Sequence, residues 1–126
     1  YVVPLFLTRE IDERINVKKF VYMSSFAAIK PRNKNFIYGQ SKRLLEETIS
    51  SLNIKSYLFF RFGKINTNFS IGHNTSIFDL EVNQAAKAIT KHIDKKSGII
   101  YPNTLTKLLS ILFYMIPLKI INKLGL

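Results

Sequence analysis

At 126 residues and 47% apolar composition, the chain can bury a core of one small domain and is too short to suggest a second. It carries 19 Lys and Arg against 8 Asp and Glu, a net charge of +11, which points to an acidic partner such as anionic lipid, nucleic acid or a phosphorylated substrate. The absence of cysteine excludes disulfides and thiolate metal sites and is compatible with a reducing, cytoplasmic setting.

The stretch from Tyr1 to Leu7 is too short for a signal-peptide core and lacks a basic leader, so no export signal is expected. The chain opens at Tyr instead of Met, and missing upstream residues are the working expectation. Leu7 to Ile15 is charged and helix-compatible, and Val17 to Ser25 holds the run Phe20, Val21, Tyr22, Met23 expected of a strand buried on both faces. A basic loop with Pro31 spans Lys30 to Asn35. A helix follows from about Tyr38 to Leu52, with Leu44, Leu45, Thr48, Ile49 and Leu52 on the side that should meet a sheet.

Ser56 to Phe62 reads as a second buried strand ending at Gly63, and a polar loop runs on to about Ser76. Asp79 would cap a helix reaching about Lys96, with Val82, Ala85, Ala86, Ile89 and Ile93 as its apolar stripe. Gly98 would stop that helix before a short strand from Ile99 to Tyr101. The order αβαβαβ predicts an α/β fold with a parallel sheet.

The final segment sets Leu105, Leu108, Leu109, Leu112, Phe113 and Ile116 at helical spacing before Pro117, which predicts an amphipathic C-terminal helix within 105–126. Interrupted by Lys107, Pro117 and Lys119, it falls short of the roughly 20 apolar residues of a membrane-spanning helix. From Val82 onward there are seven lysines and one acid, Asp94, in the same part of the chain as the longest apolar run, and that pairing favours a membrane surface over DNA. Covering the core or making a dimer contact are the other uses of such a helix. No zinc-finger spacing or aromatic RNA-binding signature accompanies the charge, so no nucleic-acid partner is expected. His73 and His92 have no partners at metal-ligand spacing, and no metal site is expected.

The most informative stretch is Ser24, Ser25 at a strand end, followed thirteen positions after Ser25 by Tyr38, Gly39, Gln40, Ser41, Lys42. A strand ending in Ser-Ser, a loop, and Tyr-x-x-x-Lys opening a helix resembles the active-site signature of the short-chain dehydrogenases/reductases. The Ser-to-Tyr interval matches their shorter form. The resemblance implies that 1–104 is the C-terminal half of a Rossmann-like, doubly wound parallel sheet. It also implies an NAD(P)-dependent oxidoreductase with Ser25, Tyr38 and Lys42 as catalytic residues and NAD or NADP as cofactor.

Tyr38 and Lys42, four apart on a helix, share a face and can act on one ligand. An ammonium beside a phenol favours the phenolate, which would suit Tyr38 to exchange a proton at working pH. Ser25 would hydrogen-bond the substrate oxygen as charge builds there during hydride delivery. A second match, Arg61, Phe62, Gly63, Lys64, Ile65, Asn66, Thr67, is similar to the family's Arg-Pro-Gly-x-Val-x-Thr, with Phe62 in place of proline. It implies that Gly63, Ile65 and Thr67, together with Tyr38 and Lys42, approach the cofactor.

The five glycines, Gly39, Gly63, Gly72, Gly98 and Gly125, are scattered, so the Gly-rich turn that cradles a pyrophosphate is absent and this chain alone is expected to bind dinucleotide weakly. The family's active-site asparagine would fall upstream of Tyr1. The tail resembles membrane-associated ketoreductases acting on lipid-linked sugars, which implies such a substrate and peripheral attachment at the inner face of a membrane. The family also implies a homo-oligomer through the helix carrying Tyr38 and Lys42.

Val17 to Tyr22 before the serines and Gly39 after the tyrosine are similar to sugar-nucleotide epimerases and dehydratases of the extended type. The short Ser25–Tyr38 interval and the lack of a large substrate domain argue against that variant. A non-enzymatic basic membrane-binding module is the reading from a different class, resting on the charge and the tail alone. Lys30, Arg32 and Lys34 could meet a substrate phosphate, although such loops usually serve solubility.

Overall fold

The structure, a computed structural model, describes residues 1–52, 54–67 and 79–123. Its elements are α1 (Val2–Arg14), β1 (Phe20–Ser25), α2 (Phe36–Ser51), β2 (Tyr57–Phe62), β3 (Ile65–Asn66), β4 (Leu80–Glu81), α3 (Val82–His92), β5 (Gly98–Ile100), α4 (Thr104–Met115) and α5 (Leu118–Lys123), with 3-10 turns at Phe26–Ala28 and Asn33–Asn35. The strands β1, β2 and β5 form one sheet in the order β1-β2-β5, and both pairings are parallel. The chain is therefore mixed α/β with a small parallel sheet, as the alternation of elements predicts.

Side chains alternate across a strand, and β2 shows the consequence. Phe59 points to one side, where it packs with Leu45 and Ile49 of α2 and with Leu5 of α1. Leu58, Phe60 and Phe62 point to the other, where they meet Ala85 and Ala88 of α3. A central strand covered on both faces needs apolar residues at nearly every position, which is why Leu58–Phe60 reads as an unbroken run. β1 departs from that expectation: it pairs with β2 alone among the described residues, and Met23 is 45% exposed on this edge strand.

Several boundaries differ from those the sequence predicts. α1 starts at Val2, earlier than Leu7, because Pro4 sits in the first turn, where a missing N–H costs nothing. The Thr8 hydroxyl bonds the Tyr22 hydroxyl at 2.7 Å and ties this helix to β1. Leu44, expected on the buried side of α2, is exposed, and Thr48 instead shares a 2.9 Å hydrogen bond with the Tyr1 hydroxyl. α3 is capped by Glu81, not Asp79: Glu81 and Gln84 make a reciprocal capping box, while Asp79 lies 3.0 Å from the Lys64 ammonium. On α3 the inward residues are Ala85, Ala88 and Ile89, and Val82 and Ile93 face out. That helix ends at His92, before Lys96, and β5 begins at Gly98, whose φ of 138° suits glycine. The polar loop expected through Ser76, with Gly72 and His73, lies mostly outside the described residues, as does Gly125.

The last two helices close one end of the sheet. Asn103 caps α4 through Thr106 N–H at 2.8 Å. Phe113, with Leu109 and Ile116, packs against Phe26, Ile29 and Ile121 of α5. α4 thus covers part of the core with one side. Among the described residues, no helix is long and apolar enough to cross a membrane.

Candidate active site at the end of the first strand

Ser25 is the last residue of β1, and its Oγ accepts the Ala27 N–H at 3.2 Å, starting the 3-10 turn. That bond uses an acceptor position of the hydroxyl and leaves its hydrogen to donate. The chain then returns through the Lys30–Asn35 loop and enters α2, whose first turn presses against the turn after Ser25. A methyl group added at Gly39 would stand 2.7 Å from the Ala27 carbonyl oxygen and 3.3 Å from Pro31 Cα. Glycine therefore allows the helix carrying Tyr38 and Lys42 to approach the strand end carrying Ser25.

Lys42, one turn beyond Tyr38, connects the two elements. Its ammonium donates to the Met23 carbonyl at 2.8 Å and lies 5.8 Å from the centre of the Tyr38 ring. Tyr38 is 52% exposed, and its hydroxyl has no hydrogen-bond partner among the described residues. Ser41 turns back to the Tyr38 carbonyl at 2.8 Å. A half-exposed phenol, a lysine fixed beside it and a serine donor at a strand's carboxyl end thus occupy one corner of the sheet. In open α/β sheets, ligands bind at that end.

Behind this corner lies a buried polar network that the motif alone does not show. Glu46, the next α2 residue on the face of Lys42, accepts hydrogen bonds from the Ser24 hydroxyl and the Arg61 guanidinium, the latter from Nε to Oε1 at 3.0 Å. Arg61 Nη1 also donates to the Tyr101 hydroxyl at 3.0 Å. Both charged side chains are almost fully buried. Burial opposes the Arg61 charge, but the hydrogen bonds and negative charge of Glu46, with Tyr101, outweigh it and hold the guanidinium above its ordinary pKa. The sequence signal was available: an arginine between Phe60 and Phe62 in a buried strand demands a buried partner.

The expected cofactor residues leave the neighbouring strand. Gly63 directly follows β2, and its φ is not positive. Ile65 sends its side chain into the core beside Phe60 and Leu80, within a short parallel pairing of Ile65 with Leu80. Thr67 is exposed, at the margin of the described residues. These three positions follow the carboxyl end of β2, as Ser25 ends β1. In the basic loop, Lys30 donates to the carbonyls of Tyr114 and Ile116 at 3.1 and 2.7 Å, Arg32 lies 5.6 Å from the centre of the Phe113 ring, and Lys34 is exposed.

A cleft of about 460 Å³ opens beside the Glu46–Arg61 network, along the later turns of α2, with Glu46 and Arg61 on its walls together with Arg43, Glu47, Ser50 and Tyr114. It contains none of Ser25, Tyr38 or Lys42. The chain matches no protein-family model, no curated protein and no solved structure.

Proposed function

We propose that this chain is the C-terminal, catalytic part of a Rossmann-like short-chain dehydrogenase/reductase that reduces a carbonyl group on a lipid-linked sugar or another membrane-associated substrate. The observation that carries the reading is Lys42, which bonds the strand beside Ser25 while lying against the ring of Tyr38. NAD(P)H would supply the hydride. The Tyr38 hydroxyl would give its proton to the carbonyl oxygen, Ser25 would donate a hydrogen bond to that oxygen, and Lys42 would favour the tyrosinate left behind.

The residues present suit the nicotinamide end of such a cofactor. Lys42 has spent one of its three donors on Met23, which leaves others for ligand hydroxyls. Gly63, Ile65 and Thr67 follow the next strand's carboxyl end, where the resemblance sets the cofactor amide and pyrophosphate. A Gly-rich pyrophosphate turn is not among these residues, so their contribution would be the reacting end of the site.

The test is Tyr38→Phe in the complete native polypeptide, assayed for NADH- and NADPH-dependent reduction of polyprenyl-phosphate-linked keto sugars. Turnover should fall by about a hundredfold or more, the usual contribution of a positioned acid or base. Retained turnover would remove the catalytic assignment. Turnover absent from the unaltered protein with either nucleotide, combined with no nucleotide affinity, would remove the oxidoreductase class.

A further inference from the structure

The outer side of α4 is more apolar than the side packed on the core. Inward-facing positions include two hydroxyl residues, Thr106 and Ser110, beside Phe113. Outward, Leu105, Leu108, Ile111, Leu112 and Met115 are all at least half exposed, with Met115 at 77%. Their spacing of three and four puts them on one helical face, and Leu118 and Ile120 of α5 are exposed as well. Isolated exposed apolar side chains are ordinary, whereas a contiguous row along a helix marks a surface with a partner.

The surrounding charge is of one sign. After Asp94 the chain contains Lys95, Lys96, Lys107, Lys119 and Lys123 and no acidic residue. The structure adds the basic loop before α2, because Lys30 caps the carbonyl end of α4 and the Asn33 N–H donates to Asn122 Oδ1 of α5 at 3.2 Å. Lys34, Lys107, Lys119 and Lys123 are exposed and make no ion pair among the described residues. A second copy of the chain fits this surface poorly. A two-fold contact would set these lysines near their counterparts with no carboxylate from either helix to separate them.

We propose that α4 and α5 form a docking surface for an anionic lipid–water interface. The helices lie along the interface with Leu108, Ile111, Leu112 and Met115 among the acyl chains and Lys107, Lys119 and Lys123 at the headgroups. This deepens the membrane-associated part of the proposed function, and it does not depend on the redox chemistry.

The experiment is co-sedimentation of the full polypeptide with phosphatidylcholine vesicles, with and without phosphatidylglycerol, across a salt series. Binding should be at least about tenfold tighter to the phosphatidylglycerol vesicles and should weaken with salt. The exposed double substitution Leu108→Ser with Met115→Ser should reduce it by at least about tenfold while leaving the thermal transition in place. A Lys107→Gln, Lys119→Gln, Lys123→Gln variant should lose the preference for anionic vesicles and keep its fold. Equal affinity for neutral and anionic vesicles overturns the proposal. So does self-association that the serine variant abolishes, in a protein that binds no vesicle. No cofactor or substrate is needed, so failure here would leave the reading of Tyr38 standing, and the reverse holds too.

Discussion

The Lys42 ammonium donates to the Met23 carbonyl at 2.8 Å, two residues before the strand ends at Ser25. A lysine side chain free in water samples many rotamers, and this bond holds one of them with the charge beside the Tyr38 ring. If Tyr38 exchanges the proton, replacing Lys42 should act on the chemistry more than on binding of the carbonyl substrate. On the proposed function, Lys42→Met in the complete polypeptide is expected to lower kcat by about a hundredfold and to shift the pH–rate profile toward higher pH, since the cation that favours the phenolate is gone. Steady-state kinetics over a range of pH measures both. A profile left in place would show that Lys42 serves only to tie α2 to β1.

Gly39 sets how near α2 comes to that strand end. The 2.7 Å approach of a Cβ to the Ala27 carbonyl involves backbone on both sides, so no side chain can rotate to relieve it. Gly39→Ala should therefore destabilise the protein by about 1–3 kcal/mol, the usual cost of overpacking, despite the helix propensity that alanine brings. Denaturant unfolding measures the stability. An unchanged or raised midpoint would mean that α2 can move away from the Ala27 turn without loss.

The parallel arrangement was legible because Phe20–Met23 and Leu58–Phe60 are apolar runs separated by a helical pattern. The corner holding Ser25, Tyr38 and Lys42 was legible because its residues are close in sequence and keep a fixed spacing. What was hidden depends on contacts between distant segments. The rotation of α3 that turns Val82 outward, and the choice of Glu81 over Asp79 as cap, follow from the β3–β4 pairing, whose two strands are fourteen residues apart. In α4, a periodicity that fits a single buried stripe includes Leu105, Leu108 and Leu112, which the structure turns outward. Hydropathy does not distinguish a stripe facing the core from one facing a partner, and Thr106 and Ser110 mark the inward side only once the Asn103 cap is seen.

The Glu46–Arg61 pair fixes the strand that carries the candidate site. Glu46 holds the Ser24 hydroxyl and the guanidinium together, so α2, β1 and β2 meet at one carboxylate. Removing that carboxylate leaves a buried guanidinium whose remaining side-chain hydrogen bond is to Tyr101, and such an uncompensated charge costs more than the intact pair contributes. Glu46→Ala should destabilise by about 3–5 kcal/mol, the range for breaking a buried pair. Arg61→Met combined with Glu46→Leu, which removes both charges and fills the space, should cost clearly less than Glu46→Ala alone. A double-mutant cycle by denaturant unfolding measures the coupling. Additive costs for the two residues would show that water reaches the pair and screens its charges.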